Sequence, residues 1–379
     1  MNAPLRVLIT VRSMEIMGGV ESYVRDLARG LIRRGHQAVV YSTRLGAAAS
    51  ALRAETIPVI DDLERIGAAP DIIHGNSNLE TLAALQRFPG VPAVFVCHSW
   101  FSWAMVPLQV PRVRRFVAVD DTCRDRLLLE SGIPEERLAV LLNAVDLERF
   151  PRRGPLPPRP ARALVFGNYA NEMTHLDVVR KACARKNIAV DVLGFSNGNA
   201  TDHPESVLGK YDLVFAKAKS ALEAMATGSA VVLCDAMGLG PMVTRDALDR
   251  LRRLNFGIRT LDRALDAEEL VREIERYDPA DAARVTDAIR ETAAHEPMID
   301  ALIDLYRQSI DEQRQAVVDP AEEALATSRY LQRLAADLGR PADSEQLFPV
   351  LGLANRILRQ PFLGTPIRWI ARRLAVKAR

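Results

Sequence analysis

Apolar runs of four to six residues alternate along this chain with segments of helical periodicity. Arg6 to Val11 reads as a strand, and Val20, Tyr23, Val24, Leu27 and Leu31 then share one helical face that stops at Gly35. Ala38–Tyr41, Asp71–His74, Ala93–Cys97 and Phe116–Val119 follow as short strands with helical stretches between them. Continuous apolar runs, rather than alternating ones, are what strands covered on both faces require. The order strand–helix–strand therefore predicts a parallel, doubly wound sheet. Pro151 to Pro160 is rich in proline and can continue neither a helix nor a central strand, so it reads as a semi-rigid linker between domains. After it the alternation restarts with Ala163–Phe166, a helix over Leu176–Arg185, Ala189–Leu193, Leu213–Ala216 and Ala230–Leu233. From about Asp266 onward the pattern is mainly helical.

The expected organisation is an α/β protein of two doubly wound, Rossmann-like domains facing a cleft. Residues 1–150 form the first domain, 151–160 the linker, 161–315 the second domain and 316–379 a helical extension. Ligands of such sheets sit beyond the carboxyl ends of the strands.

The most telling local stretch is Ser220 to Cys234. Ser220 and Glu223 have the S-x-x-E spacing of a capping box, Gly228 suits a helix stop, and a buried strand follows. A helix amino end at the edge of a parallel sheet offers unpaired N–H groups and partial positive charge to a diphosphate. Lys217 and Lys219 stand beside it, and Ala221 follows Ser220 at the same end. The alternative is a capped helix with two surface lysines and no ligand.

The chain has 379 residues, 48% apolar and 26% charged, as in ordinary soluble proteins. Its net charge of +2 gives no general attraction to nucleic acid. Residues 351–379 hold seven Lys or Arg and no acid, leaving the first 350 residues at −5. In a helix from Ile367 to Arg379, Ile367, Ile370 and Leu374 would share one side and Arg368, Arg372 and Arg379 another. That pattern suits either an interfacial helix on an anionic membrane or a helix docked on the acidic body. The residues before the first strand show no signal-peptide pattern, so none is expected, and the four separated cysteines show no ligand or disulfide spacing. A cytoplasmic setting is expected, at most peripheral on the inner face of the membrane.

Six segments stand in order along the chain: Met17-Gly-Gly-Val-Glu21, Arg33-Arg-Gly-His36, Asp71-Ile-Ile-His74, Cys97-His98, the stretch Ile133-Pro134 through Leu142-Asn-Ala-Val-Asp146 to Phe150, and Leu222-Glu-Ala-Met-Ala-Thr-Gly-Ser-Ala-Val-Val232. Together they resemble the GT-B glycosyltransferases of the group 1, family 4 type. The resemblance covers about Arg6 to Arg314. It implies transfer of a hexose-type sugar from a nucleotide-diphosphate donor to a glycan or lipid-linked acceptor, with retention, without a metal and with no cofactor beyond the donor substrate. The chain departs from the family in three places. Phe215 stands where a second glutamate lies eight residues before Glu223. The loop Gly167 to His175 lacks the usual basic pair. Ala144 replaces a glycine.

The resemblance gives Glu223 a hydrogen bond to the donor ribose and places His98 beside the donor sugar and the acceptor hydroxyl. Gly18 and Gly19 are candidates for close backbone approach to the phosphates, though their spacing alone favours a tight strand-to-helix turn. Lys217 and Lys219 are candidates to replace the missing basic pair, with Gly167 and Asn168 the donor-side positions of that loop. His74, Asn76 and Trp100 are candidates for the acceptor side. No G-x-G-x-x-G points to a nicotinamide, and no Asp-x-Asp stands at a donor site. Two rival functions share this architecture: a catalytically inactive glycan- or protein-binding protein, and a nucleotide-sugar epimerase.

Overall fold

The computed structural model describes residues 3–201 and 203–338. The first half is a seven-stranded parallel sheet in the order β3-β2-β1-β4-β5-β6-β7. Its strands are β1 (Arg6–Thr10), β2 (Gln37–Tyr41), β3 (Val59–Ile60), β4 (Ile72–Gly75), β5 (Ala93–Cys97), β6 (Val113–Ala118) and β7 (Leu138–Val140). Helices α1 (Gly19–Arg33), α2 (Ala47–Ala54), α3 (Asn78–Arg87) and α4 (Asp121–Asp125) make or follow the crossovers.

The second half is a five-stranded sheet in the order β12-β11-β10-β8-β9. It comprises β8 (Arg162–Phe166), β9 (Ala189–Leu193), β10 (Leu213–Ala216), β11 (Ala230–Asp235) and β12 (Gly238–Met242). Its helices are α5 (Leu176–Ala184), α6 (Glu205–Leu208), α7 (Ala218–Thr227), α8 (Arg245–Arg253), α9 (Ala267–Glu275) and α10 (Pro279–Thr292). Two long helices follow, α11 (His295–Gln315) and α12 (Pro320–Leu338). The winding reverses between β1 and β4 in one sheet and between β8 and β10 in the other, which are the crevices where doubly wound sheets hold ligands.

The apolar runs of β4, β5, β10 and β11 are buried on both faces, as continuous Val/Ile/Leu/Phe sequences demand. Helix α7 ends at Gly228 in the left-handed conformation, φ +107°, with its N–H returned to Ala224 and Met225. All four cysteines are free and buried.

Three features differ from the sequence reading. First, the proline-rich segment is not the linker. Arg153 N donates to Thr227 O, Arg153 pairs with Asp212, and Tyr277 donates to Pro157 O, so residues 151–160 lie along the second half. The change of halves comes earlier: Leu141 N still donates to Ala118 O, whereas Val145 N already donates to Ala293 O. Second, α11 belongs to the first core despite its place in the sequence. Ile299, Leu302, Ile303 and Tyr306 pack into the first-half apolar cluster, and α12 adds Tyr330 and Leu334. Arg115 pairs with Glu312, and Arg34 Nε lies 2.5 Å from Asp300. The chain thus crosses twice, and the crossings touch through the bridge of Val145 with Ala294. Third, β12 is antiparallel and, like β3, has no apolar run long enough to be read, whereas β7 lies in an apolar run over 138–142 that is not among the expected strands. The basic segment 351–379 lies outside the described residues. Among those residues, no helix is long and apolar enough to cross a membrane.

Candidate functional site

Both winding reversals open onto one gap between the halves, which contains a cavity of about 290 Å³. From the first half come Gly18, Gly19 and Arg25, where the loop after β1 enters α1. From the second come Gly167 and Asn168 after β8, Phe195 after β9, and Lys219, Ser220 and Glu223 of α7. Most of the expected donor-side residues therefore meet around one space.

The local chemistry explains the placement. Gly18 caps α1: its N–H donates to the Glu21 carboxylate at 3.1 Å, and that oxygen lies 2.7 Å from where a Cβ would stand. A side chain at position 18 would displace Glu21. Gly19 and Gly167 have open space in the same direction. Across the gap, Asn168 Nδ2 donates to Met17 O at 3.3 Å. Gly194, at the end of β9, comes so close to Gly167 that a Cβ there would stand 2.1 Å from the Gly167 carbonyl oxygen.

Helix α7 starts three residues earlier than the capping-box pattern predicts. Lys217 is the residue before its first turn, Ala218 adopts φ +50°, and Ala218 N donates to Phe256 O at 2.9 Å. That contact closes the turn, so Ser220 does not cap the helix and Glu223 is released from capping. Lys217 turns away and pairs with Asp235 at the end of β11, contrary to its expected role at the phosphates. The Ala221 side chain is fully buried in the second core, and its N–H is spent on Lys217 O, so no donor contact is left to it.

Lys219 Nζ reaches across the gap and donates to Asp26 Oδ2 at 2.5 Å, with both side chains at least 90% buried. Arg25, 2% exposed, places its Nε 3.7 Å from Asp26 Oδ1. Burial alone would raise the Asp26 carboxyl, but Lys219 and Arg25 outweigh it and hold the group below the usual range. The Glu223 carboxyl is pushed up to about 7, chiefly by burial, with Lys219 opposing and Asp26 adding to the rise.

The His98 end is built differently. His98 follows β5, and its Nε2 lies 2.8 Å from Asn76 Oδ1. The Tyr23 ring of α1 meets it edge-on at 4.6 Å and also stacks on His74. His74 Nδ1 is 2.7 Å from the Tyr306 hydroxyl of α11. Both His74 and Asn76 are fully buried, so neither reaches an acceptor; they stand behind His98. Trp100 also differs from expectation. The Arg259 guanidinium from the second half lies over its ring at 5.2 Å, and Arg259 pairs with Asp125.

Residues 17–149 match the family model described as Glycosyltransferase Family 4. Over 82% of this chain and 99% of its own, a glycosyltransferase from Rickettsia africae superposes with a TM-score of 0.60 at 14% identity. The fold is GT-B, and residues 17–149 are similar to family 4. The glycotransferase of kitacinnamycin gives 0.48 at 14% identity, covering 81% of this chain and 100% of that one. A putative UDP-N-acetylglucosamine 2-epimerase from Listeria monocytogenes gives 0.46 at 12%, covering 80% and 95%. No curated protein matches the chain in sequence.

Several residues of the GT-B cleft were not legible in advance. Arg25 and Asp26 lie off the apolar face of α1, where the helical pattern reads solvated charge, yet both are buried. Arg149, which also lines the cavity and pairs with Glu205 at 2.8 Å, gave no sign in its segment. Tyr306 lies 232 positions from His74, beyond any local pattern.

Proposed function

We propose that the protein transfers a sugar from a nucleotide-diphosphate donor to a glycan or lipid-linked acceptor, with retention and without a metal. The observation that carries this reading is the meeting of the α7 amino end, with Lys219 and Glu223, and the open Gly18–Gly19 loop around one cavity at both winding reversals. In this reading the diphosphate lies against Lys219, Arg25 and the first turn of α7, where the helix dipole and buried cations meet its charge. Glu223 takes the ribose hydroxyls, and the half-exposed Phe195 ring offers a face to the base. The acceptor hydroxyl oxygen bonds to the anomeric carbon as the bond from that carbon to phosphate breaks. The hydroxyl proton passes to the departing phosphate oxygen on the same face. Metal independence rests on the missing Asp-x-Asp and on these cations.

A thermal-shift screen with UDP-, GDP-, ADP- and dTDP-sugars tests the reading, since a ligand at 100 times its Kd stabilises by about 2.7 kcal/mol. One family of donors is expected to raise the melting temperature and to be turned over with an acceptor. No shift with any donor removes the reading, and conversion of free donor to an epimer replaces it. Phe215, fully buried in the core where the family carries a glutamate, favours the rival of a binding protein without turnover. Glycan binding with no nucleotide-sugar binding would select that rival. Peripheral attachment to anionic membranes through 351–379 is part of the proposal. Co-sedimentation with phosphatidylglycerol vesicles, lost on deletion of that segment, tests it.

A further inference from the structure

The hydrogen bonds behind His98 run in one direction only. Asn76 is fully buried just after β4. Its Nδ2 donates to the Thr10 carbonyl oxygen at 3.0 Å, which settles the orientation of the carboxamide. Oδ1 is therefore the atom 2.8 Å from His98 Nε2. An amide oxygen only accepts, so Nε2 must carry a hydrogen. The tautomer of a histidine is set by the bond that one ring nitrogen makes, and here that bond leaves Nδ1 without a proton. His98 is partly exposed, and among the described residues its Nδ1 has no hydrogen-bond partner.

The surroundings keep the ring neutral. Three elements face it: α1 with the Tyr23 ring, β4 with His74, and α7 with Lys219. Burial first, then His74 and Lys219, push its pKa down to about 3. At neutral pH the ring is neither a cation for the leaving phosphate nor an acid.

We propose that Asn76 is a positioning residue that holds His98 as the Nε2–H tautomer, so that Nδ1 stands in the cleft as an acceptor for a hydroxyl group of the bound sugar substrates. The proposal rests on the reading of the cleft as a sugar-transfer site. Its consequence is a directional preference. A ligand hydroxyl aimed at Nδ1 finds an acceptor, whereas a carbonyl or phosphate oxygen there finds only another lone pair.

The experiment is long-range nitrogen–proton NMR on the full chain labelled with 15N-histidine, with His98→Gln used to assign the signal. His98 is expected to show a protonated Nε2 and an unprotonated Nδ1, unchanged between about pH 5.5 and 8 given its depressed pKa. In Asn76→Asp, a carboxylate facing Nε2 favours the imidazolium. His98 then titrates within that range, and the pH profile of turnover gains an acid limb. A wild-type ring with its proton on Nδ1, or one titrating near the ordinary histidine value, overturns the proposal. So does an Asn76→Asp protein whose His98 is unchanged. The wild-type spectrum needs no substitution and decides the tautomer even if Asn76→Asp does not fold. If the spectrum is as expected and no nucleotide sugar binds or reacts, the transfer reading falls, the hydroxyl-acceptor role falls with it, and the tautomer assignment remains.

Discussion

At the α7 end of the cleft, formal charges are buried and paired across the gap; at the His98 end, a neutral ring is held by carboxamide and aromatic neighbours. The first arrangement keeps cations desolvated and strong, at the cost of needing Asp26 as their partner while no anion is bound. The second uses few charges and relies on direction. A site for a diphosphate needs charge, and a site for hydroxyl groups needs aim. The two arrangements come from different sheets, and Lys219 is near enough to each to influence both.

The contrast predicts a ladder of effects. Lys219→Met leaves Asp26 buried with only Arg25 nearby and is expected to lower stability by about 3–5 kcal/mol, seen as a fall in the urea midpoint. Adding Asp26→Asn is expected to restore most of it. A single variant as stable as the wild type would show that the charged end is not held by this pair.

Glu223 gives a pH signature. Its carboxyl sits at about 7 in the folded protein against an ordinary value of 4.5, so the folded state binds the extra proton between those limits. Its contribution is full below about pH 4.5 and is lost as pH rises through about 7, a total on the order of 3 kcal/mol. The difference in unfolding midpoint between wild type and Glu223→Gln, followed over that window, is expected to slope accordingly. A flat difference would mean that the group is solvated.

Gly194→Ala drives a Cβ against the Gly167 carbonyl and is expected to cost about 1–3 kcal/mol while pushing apart two loops that floor the cavity. Its melting temperature should fall and its response to nucleotide sugar should weaken. An unchanged ligand response would separate that floor from donor binding. The smallest effect is the Trp100–Arg259 contact between the halves, for which a double-mutant cycle on stability should give about 0.5–1 kcal/mol of coupling. A value near zero would leave the neutral end without this clasp.

Legibility followed the range of the interactions that decide each feature. Strands β1, β5, β10 and β11 were readable because burial on both faces forces unbroken apolar runs. Val59–Ile60 is too short to announce a strand, and Gly238-Leu-Gly-Pro-Met242 carries two glycines and a proline. The proline-rich segment advertised stiffness, and stiffness does not say where a chain changes domain. Of the true crossings, Asn143–Ala144 lies in a stretch that resembles the family without reading as a domain boundary, and Ala293–Ala294 carries no turn signal. In the cleft, His98, Glu223, Lys219 and the glycine loops were visible because they stand at strand and helix ends. The start of α7 was misread because Phe256, 38 positions on from Ala218, takes the N–H that decides it. His74 and Asn76 looked available because sequence shows chemistry and not depth.

The twin crossings have a mechanical consequence. Because Val145 and Ala294 are stitched together, the halves share one axis, and any parting is a swing about that line. Arg33, at one end of α1, lies 3.9 Å from Asp146 beside the axis, while Gly18 stands at the opposite end of the helix. Fifteen residues of helix put the two ends about 22 Å apart, so a swing about a line beside Arg33 acts on the Gly18 lip through a lever of up to that length.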